Sequence, residues 1–382
     1  MEKAKNKAQG ASGPPTQGAR GPRALGDARV GAARVLELRR VLEEAWREAG
    51  TGTPRRLLVL THRGPDPDAL GACEGIRLLC RDFGFEAEVA TIGRIHRAEN
   101  LAMVRALGIE LVEYKALDAE RFCGGILVDT QPEFGHTVLP SDIPILAVFD
   151  HHVPPEAETA AASIPFADVR LGIGATSSII YEYLRDAGVE LTDHAASALF
   201  CGVRYDTADL SRNSSELDEE AYYETFRRCD RGAIAAIQHP PLPRDYYKDL
   251  ARALTLARQH GPLVIALLGQ VENPEFVAEM ADFMLRMKGV SWVVVGGSYE
   301  GTYVLSLRTD HAFGNAYPLM ARVLDGEGSF GGHGHIAGGR IHLEGEGESH
   351  IASVERTLRQ NALAILGTAE DESIPREGKP LT

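Results

Sequence analysis

Apolar and polar positions along the first half of the chain alternate between two rhythms. Continuous apolar runs at 57–60, 125–128 and 145–149 read as buried strands, with a further strand at 86–90. Between them the apolar residues recur every three or four positions. Leu36, Leu38, Val41, Leu42, Ala45 and Trp46 mark a helix over 29–49, stopped by Gly50 and Gly52. Helices are also predicted over 70–83, 97–107, 176–187 and 193–203, with Gly108 ending the second of these. Strands alternating with helices predict an α/β domain built on a doubly wound, mainly parallel sheet with covered faces.

The pattern shifts near residue 232. Pro240, Pro241 and Pro243 disfavour a helix or strand there, so 232–246 is read as a linker. A smaller α/β C-terminal domain follows. It is expected to hold a helix over 246–260, a strand at 263–268, a helix over 274–287, and strands at 292–295 and 303–307 joined by the SYEGT turn. A Gly-rich loop, a strand at 340–343 and a helix over 350–366 complete it. The expected organisation is a disordered tail at 1–28, a catalytic domain at 29–231, the linker, a substrate-binding domain at 247–367, and a second tail at 368–382. The active site would lie in the cleft between the domains.

Chemistry enters where the apolar runs stop. His62, Asp66 and Asp68 follow the first strand, Asp129 follows a later one, and Asp150, His151 and His152 follow the next. In a parallel sheet all these positions fall on the carboxyl edge, where ligands collect. A lone DxD is usually a solvated turn or a helix cap, and Asp68 could simply cap the helix after it. A lone His pair after a strand is usually hydrogen-bonded structure. Several such motifs on one edge are different, because clustered carboxylates repel and require a cation. Arg63 and Arg204 are the only cationic side chains within the motifs, and Asp206 adds another acid. Mixed His and Asp donors without thiolate favour manganese, magnesium, iron or cobalt over structural zinc. Their number suggests two ions, a geometry suited to phosphoryl displacement.

Composition narrows the partners. The chain has 382 residues and a formal net charge of −14, a poor surface for long nucleic acid, including duplex DNA. Five dispersed cysteines with no CxxC pair suggest reduced thiols and a cytoplasmic protein. No stretch approaches the roughly 20 apolar residues of a membrane span. The Gly- and Pro-containing start has no secretory apolar core and reads as a solvated tail, with a nucleic-acid-binding arm as the other reading.

HRGPDPDALG, VDTQPEFG, FDHH and GVRYDTADL, in that order, resemble the four motifs of the DHH phosphoesterase superfamily. FGGHGHIAGG, with SLRTD upstream, resembles the nucleotide-binding motif of its associated C-terminal domain. The resemblance covers about 55–345 and is nearest to the bacterial oligoribonuclease/pAp phosphatase type. It implies that His62 and Asp66 hold one metal, that Asp68, His151 and Asp206 hold the other, and that Asp129 bridges them. Asp150 would orient ligands, and His152 would contact the scissile phosphate and protonate the leaving group. Arg308, Gly331, Gly332 and His333 would bind the other end of the substrate. The chain departs from the pattern at Ala208, where a glycine is common, and at Ile336, where alanine is common. Asp209 could repel a polyanion or face solvent, His335 could meet substrate or solvent, and Arg212 is read as an ion-pair residue rather than a phosphate ligand.

The expectation is a metal-dependent phosphoesterase using two divalent ions, manganese first, with magnesium or cobalt as alternatives. Its substrate would be a short oligonucleotide or 3′-phosphoadenosine 5′-phosphate (pAp). A pyrophosphatase or polyphosphatase, a cyclic-dinucleotide phosphodiesterase and a silent nucleotide-binding module are the rivals. The oligomeric state stays open, a homodimer included.

Overall fold

The computed structural model describes residues 31–50, 52–114, 118–134, 137–153, 160–310, 314–343, 347–366 and 378–382. The tail expected at 1–28 and residues 368–377 of the second tail lie outside the described residues. The first half contains α1 (Gly31–Glu48), β1 (Arg56–Leu60), α2 (Pro67–Asp82), β2 (Glu86–Thr91), α3 (Ala98–Leu107), β3 (Leu111–Glu113), β4 (Gly124–Val128), β5 (Ile145–Asp150), β6 (Phe166–Val169), α4 (Thr176–Asp186), α5 (Asp193–Asp206), α6 (Glu216–Arg228) and α7 (Arg231–Gln238). Its six strands form one parallel sheet in the order β3-β2-β1-β4-β5-β6.

The continuous apolar runs are continuous because both faces are covered. Leu57, Val59, Ile126, Val128 and Phe149 pack with residues of α1, α2 and α4. Their neighbours Leu58, Leu60, Leu127 and Val148 point the other way, onto Phe122 and Ile143 of the connecting segments. Outside the first helical layer, α3, α5 and α7 share a separate apolar cluster that includes Met103, Phe200, Ile234 and Ile237.

The second half contains α8 (Arg244–Leu256), β7 (Arg258–His260), β8 (Leu263–Gln270), α9 (Glu275–Leu285), β9 (Trp292–Tyr299), β10 (Thr302–Thr309), α10 (Tyr317–Leu324), β11 (Ser329–His333), β12 (Ile336–His342), α11 (Glu348–Leu366) and β13 (Lys379–Pro380). The seven strands run in the order β11-β12-β10-β9-β8-β7-β13, with only β8 and β9 parallel. Helices α8 and α9 cover one face, α10 and α11 the other. The β9–β10 hairpin turns at Glu300 and Gly301, both at positive φ, as SYEGT predicts.

The structure corrects several boundaries. Helix α2 begins at Pro67, not near 70, because Asp66 caps it and proline suits its first turn. The expected linker at 232–246 is largely helical: Asp230 caps α7, Ile234 and Ile237 are buried, and the prolines act only after Gln238. Residues 258–260 form β7 rather than the end of a helix. Residues 379–380 of the expected tail pair with β7. The expected Gly-rich loop holds the β11–β12 hairpin. A Cβ on Gly332 would lie 2.3 Å from the Ile336 carbonyl oxygen, so glycine there permits close strand approach.

Candidate metal centre

The strand order of the first sheet reverses between β1 and β4. A crevice therefore opens beyond their carboxyl ends, the usual ligand position in such sheets. Asp66 and Asp68 both serve as helix caps, but of different helices. Asp66 Oδ1 accepts the N–H groups of Asp68 and Ala69, each at 3.0 Å, and so caps α2. Asp68 reaches across to α4, which has no side-chain cap of its own. Its Oδ2 accepts Thr176 N–H at 2.6 Å and its Oδ1 accepts Ser177 N–H at 2.8 Å. Thr176 Oγ1 in turn donates to Asp129 Oδ1 at 2.7 Å. These locks hold two buried carboxylates in fixed rotamers.

Asp129 ends β4 with φ 58°, a left-handed conformation costing most residues about 1–2 kcal/mol. Its N–H is bonded to the Phe149 carbonyl at 2.8 Å. Its two oxygens face different partners: His62 Nε2 lies 3.6 Å from Oδ2, and His151 Nε2 lies 3.8 Å from Oδ1. His151 points its Nδ1 at the Ile173 carbonyl, 3.2 Å away, which makes Nε2 the lone-pair nitrogen. That Nε2 is buried and has no hydrogen-bond partner of acceptable geometry, although Asp206 Oδ2 is 3.1 Å and Asp68 Oδ2 4.0 Å away.

Three overlapping groups have all their donor atoms within 4.8 Å of one another. They are His62–Asp66–Asp129, Asp68–His151–Asp206 and Asp129–His151–His152. The six side chains expected to ligate metal are therefore brought together. Asp150 is fully buried beside them. Its Oδ1 lies 2.9 Å from His152 Nδ1, and its Oδ2 accepts Gln131 Nε2 at 2.6 Å. His152 Nδ1 is thereby committed to Asp150.

Electrostatics shows what the pocket requires. Burial, together with the charges of Asp206 and Asp129, pushes Asp66 up to about 6. Burial and the same two neighbouring charges, Asp129 first, raise Asp68 well above the carboxylate range. Burial opposes charge on His62, but Asp129 and Asp66 outweigh it and raise the imidazole to about 9. Asp129 is held low against its burial by His62, His152 and His151. Protons are thus drawn in to balance crowded acids. An orphaned imidazole nitrogen aimed at carboxylates, and acids short of counter-charge, fit divalent metal.

Two glycines let this pocket close. A Cβ on Gly202 would lie 2.1 Å from Ser177 Oγ and 2.9 Å from Asp68 Oδ1; one on Gly71 would lie 2.4 Å from the Ala198 carbonyl oxygen. Helices α2 and α5 consequently cross in close contact beneath the site. Sequence reasoning misses Thr176 and Ser177, which lock Asp68 and Asp129, and Gln131, which locks Asp150. Gln131 stands two residues beyond Asp129 in VDTQPEFG, but only the fold shows that it meets Asp150. Among the described residues Arg212 makes no ion pair to an acid; its Nε and Nη2 bond the Asp206 backbone carbonyl at 3.1 and 2.8 Å. Asp209 turns away from the crevice onto Arg204 and Tyr222.

No protein-family model matches the chain. An uncharacterized protein of Methanocaldococcus jannaschii is 30% identical over 323 residues, 83% of this chain and 65% of that protein. A probable manganese-dependent inorganic pyrophosphatase of Streptococcus thermophilus is 27% identical over 183 residues, 45% of this chain and 55% of that protein. The chain thus spans between half and two thirds of the length of these curated relatives. The crystal structure of an exopolyphosphatase-related protein from Bacteroides fragilis shares the fold, with a TM-score of 0.67 at 14% identity, covering 86% of this chain and 96% of that one. The chain resembles the DHH phosphoesterase superfamily in its motifs and shares the fold of the exopolyphosphatase-related protein.

The position after Asp206-Thr207 is Ala208 at φ 47°, followed by Asp209 at 55° and Leu210 at 63°. A glycine at 208 would meet this conformation without strain; alanine does not. The remaining expected residues lie on the second sheet. Arg308 is 7% exposed, with Nε on Asp282 Oδ1 at 2.5 Å and Nη1 on Ser306 Oγ at 2.7 Å. It lies opposite Ile336 across β10 and β12, and Ile336 lies opposite His333. Gly331 and Gly332 share the β11 strand with His333. His335 lies with its Nδ1 3.2 Å from Thr309 Oγ1. Among the described residues no helix is long and apolar enough to cross a membrane. All five cysteines are free and buried.

Proposed function

We propose that this chain is a phosphoesterase that uses two divalent ions, manganese first, to hydrolyse short nucleotide substrates: short oligoribonucleotides or pAp. The observation that carries this reading is the convergence of His62, Asp66, Asp68, Asp129, His151 and Asp206 around a buried, unpartnered His151 nitrogen at the switch point. His62 and Asp66 would hold one ion, Asp68, His151 and Asp206 the other, and Asp129 would be shared by both. Ions bound there would neutralise a phosphate and lower the pKa of a water near them.

The chain's own groups do the rest. Asp68 stays fixed by the α4 amides, so the pocket needs little rearrangement. Asp150, clamped by Gln131, holds His152 to deliver a proton from Nε2 to the departing oxygen. Arg308, Gly331, Gly332 and His333 would receive the far end of the nucleotide, through guanidinium and backbone N–H bonds to phosphate. The acidic balance of the chain favours a short substrate over a long strand or duplex.

The test is a panel with added manganese: pAp, a labelled dinucleotide, a longer RNA, a cyclic dinucleotide and pyrophosphate. Preferential turnover of pAp or the dinucleotide is expected, with loss on chelation and recovery on restoring the metal. Preference for pyrophosphate would overturn the nucleotide reading.

A further inference from the structure

A cavity of about 230 Å³ lies between α5, α6 and α7, and none of the metal-cluster side chains lines it. Its apolar walls include Phe200 of α5 and Tyr222 and Phe226 of α6. The Phe200 ring centroid stands 4.9 Å from that of Tyr222 and 5.2 Å from that of Phe226.

The charged groups of the cavity are two arginines and one acid. Arg204, from the GVRYDTADL motif, places Nε 3.0 Å from Asp209 Oδ1, and Tyr222 Oη donates to the same oxygen at 3.1 Å. Arg231 forms no ion pair among the described residues; its guanidinium carbon lies 4.8 Å from the Phe226 ring centroid. The neighbouring Asp230 is occupied in capping α7. A guanidinium resting on an aromatic ring keeps its N–H groups for an anion, which the planar fork can bind through two bonds. In a chain of net charge −14, this cavity therefore favours an anionic ligand.

The cavity and the metal cluster share one turn. Helix α5 ends at Asp206, a donor of the cluster. Ala208, Asp209 and Leu210 follow, all with left-handed φ, and carry the Asp209 carboxylate into the cavity. Strained backbone of this kind persists only where its surroundings hold it. Arg204 and Tyr222 hold it here, through Asp209. An anion that draws Arg204 off Asp209 loosens the turn and, with it, the placement of Asp206.

We propose that this cavity is a second ligand site, for a nucleoside monophosphate, with the base against the aromatic walls and the phosphate on Arg231 and Arg204. Drug-sized ligands fill roughly 300–1,000 Å³, so this smaller space suits a single base with its phosphate at the mouth, where Arg231 is exposed. Such a ligand is what cleavage of a short nucleotide leaves behind, and its binding slows turnover by displacing Asp206. The choice of a nucleotide rests on the reading above; the cavity and its charges do not.

The test uses manganese-loaded protein, 5′-AMP as the probe and bis(p-nitrophenyl) phosphate as substrate. AMP at the metal cluster competes with this substrate and raises KM alone. AMP in the cavity lowers kcat, and a fall of about threefold or more is expected at saturating AMP. Arg231→Ala removes the anion fork, and Ala235→Leu fills the cavity from α7. Both positions are exposed, so the fold should survive. Each variant should lose the fall in kcat and keep the uninhibited rate. Equilibrium dialysis should find two AMP per chain in the unaltered protein and one in either variant. Adenosine should bind the cavity about tenfold more weakly than AMP, the loss expected when a charged hydrogen bond is removed. Purely competitive inhibition with one AMP per chain, or a fall in kcat that survives both substitutions, would overturn the second site. A protein that cleaves no dinucleotide yet binds AMP through Arg231 would lose the nucleotide-substrate reading and keep the site. One that cleaves the dinucleotide but binds a single AMP would do the reverse.

Discussion

The candidate metal centre and the proposed substrate-binding end of this molecule are held in different ways. At the metal end several donors are fixed by backbone or buried polar contacts: Asp68 by Thr176 and Ser177 amides, His151 by the Ile173 carbonyl, Asp150 by Gln131. At the proposed substrate-binding end Arg308 pairs with Asp282, whose side chain is 46% exposed, and exposed and buried residues alternate along β12. Rigid placement suits ions, whose ligand geometry tolerates little error. A looser, partly solvated end suits a substrate that must enter and leave.

Four substitutions test this contrast, the largest effect first. Asp129→Ala removes the carboxylate that faces both donor groups. A loss of kcat of at least about a thousandfold is expected, with manganese stoichiometry falling in direct metal analysis. Near-native rates with both ions retained would break the bridging assignment. Gly202→Ala adds a Cβ into Ser177 and Asp68, and overpacking of this kind costs about 1–3 kcal/mol. Denaturant midpoints should fall and metal affinity should weaken with them. A stable variant of full affinity would show that the metal end is less rigid than its contacts indicate.

Arg308→Ala should act on the other end. KM for a dinucleotide should rise about tenfold while turnover of bis(p-nitrophenyl) phosphate changes little. A matching fall on both substrates would place Arg308 in the metal-end machinery instead. The smallest effect is expected from Ala208→Gly, which relieves a left-handed alanine. The gain, about 0.5–1 kcal/mol after the added chain entropy of glycine, should appear as a modest rise in Tm. No gain would mean that the loop accommodates alanine without strain.

Much of the metal end is legible in the amino-acid sequence. Apolar runs that stop at Asp129 and Asp150 announce their own strand ends, and strand direction then gathers the acids on one edge. The capping roles are only half legible. Asp68 reads as a cap of its own helix, but Asp66 takes that place and Asp68 caps α4, 108 residues away in sequence. The β11–β12 hairpin is hidden because glycine carries little strand signal. Helix α6 escapes the apolar pattern although Ser215 and Asp218 form a capping box. Helix α7 resembles linker because the prolines that follow it outweigh the short apolar pair before them.

The sequence by itself determined which side chains carry chemistry and on which edge of a sheet they emerge, because apolar period and strand polarity are local properties. Tertiary structure decided what each one faces: which oxygen of Asp129 meets which histidine, and how Gly71 and Gly202 let two helices close beneath Asp68. Those facts depend on contacts between residues far apart in the chain, and no local pattern encodes such distances.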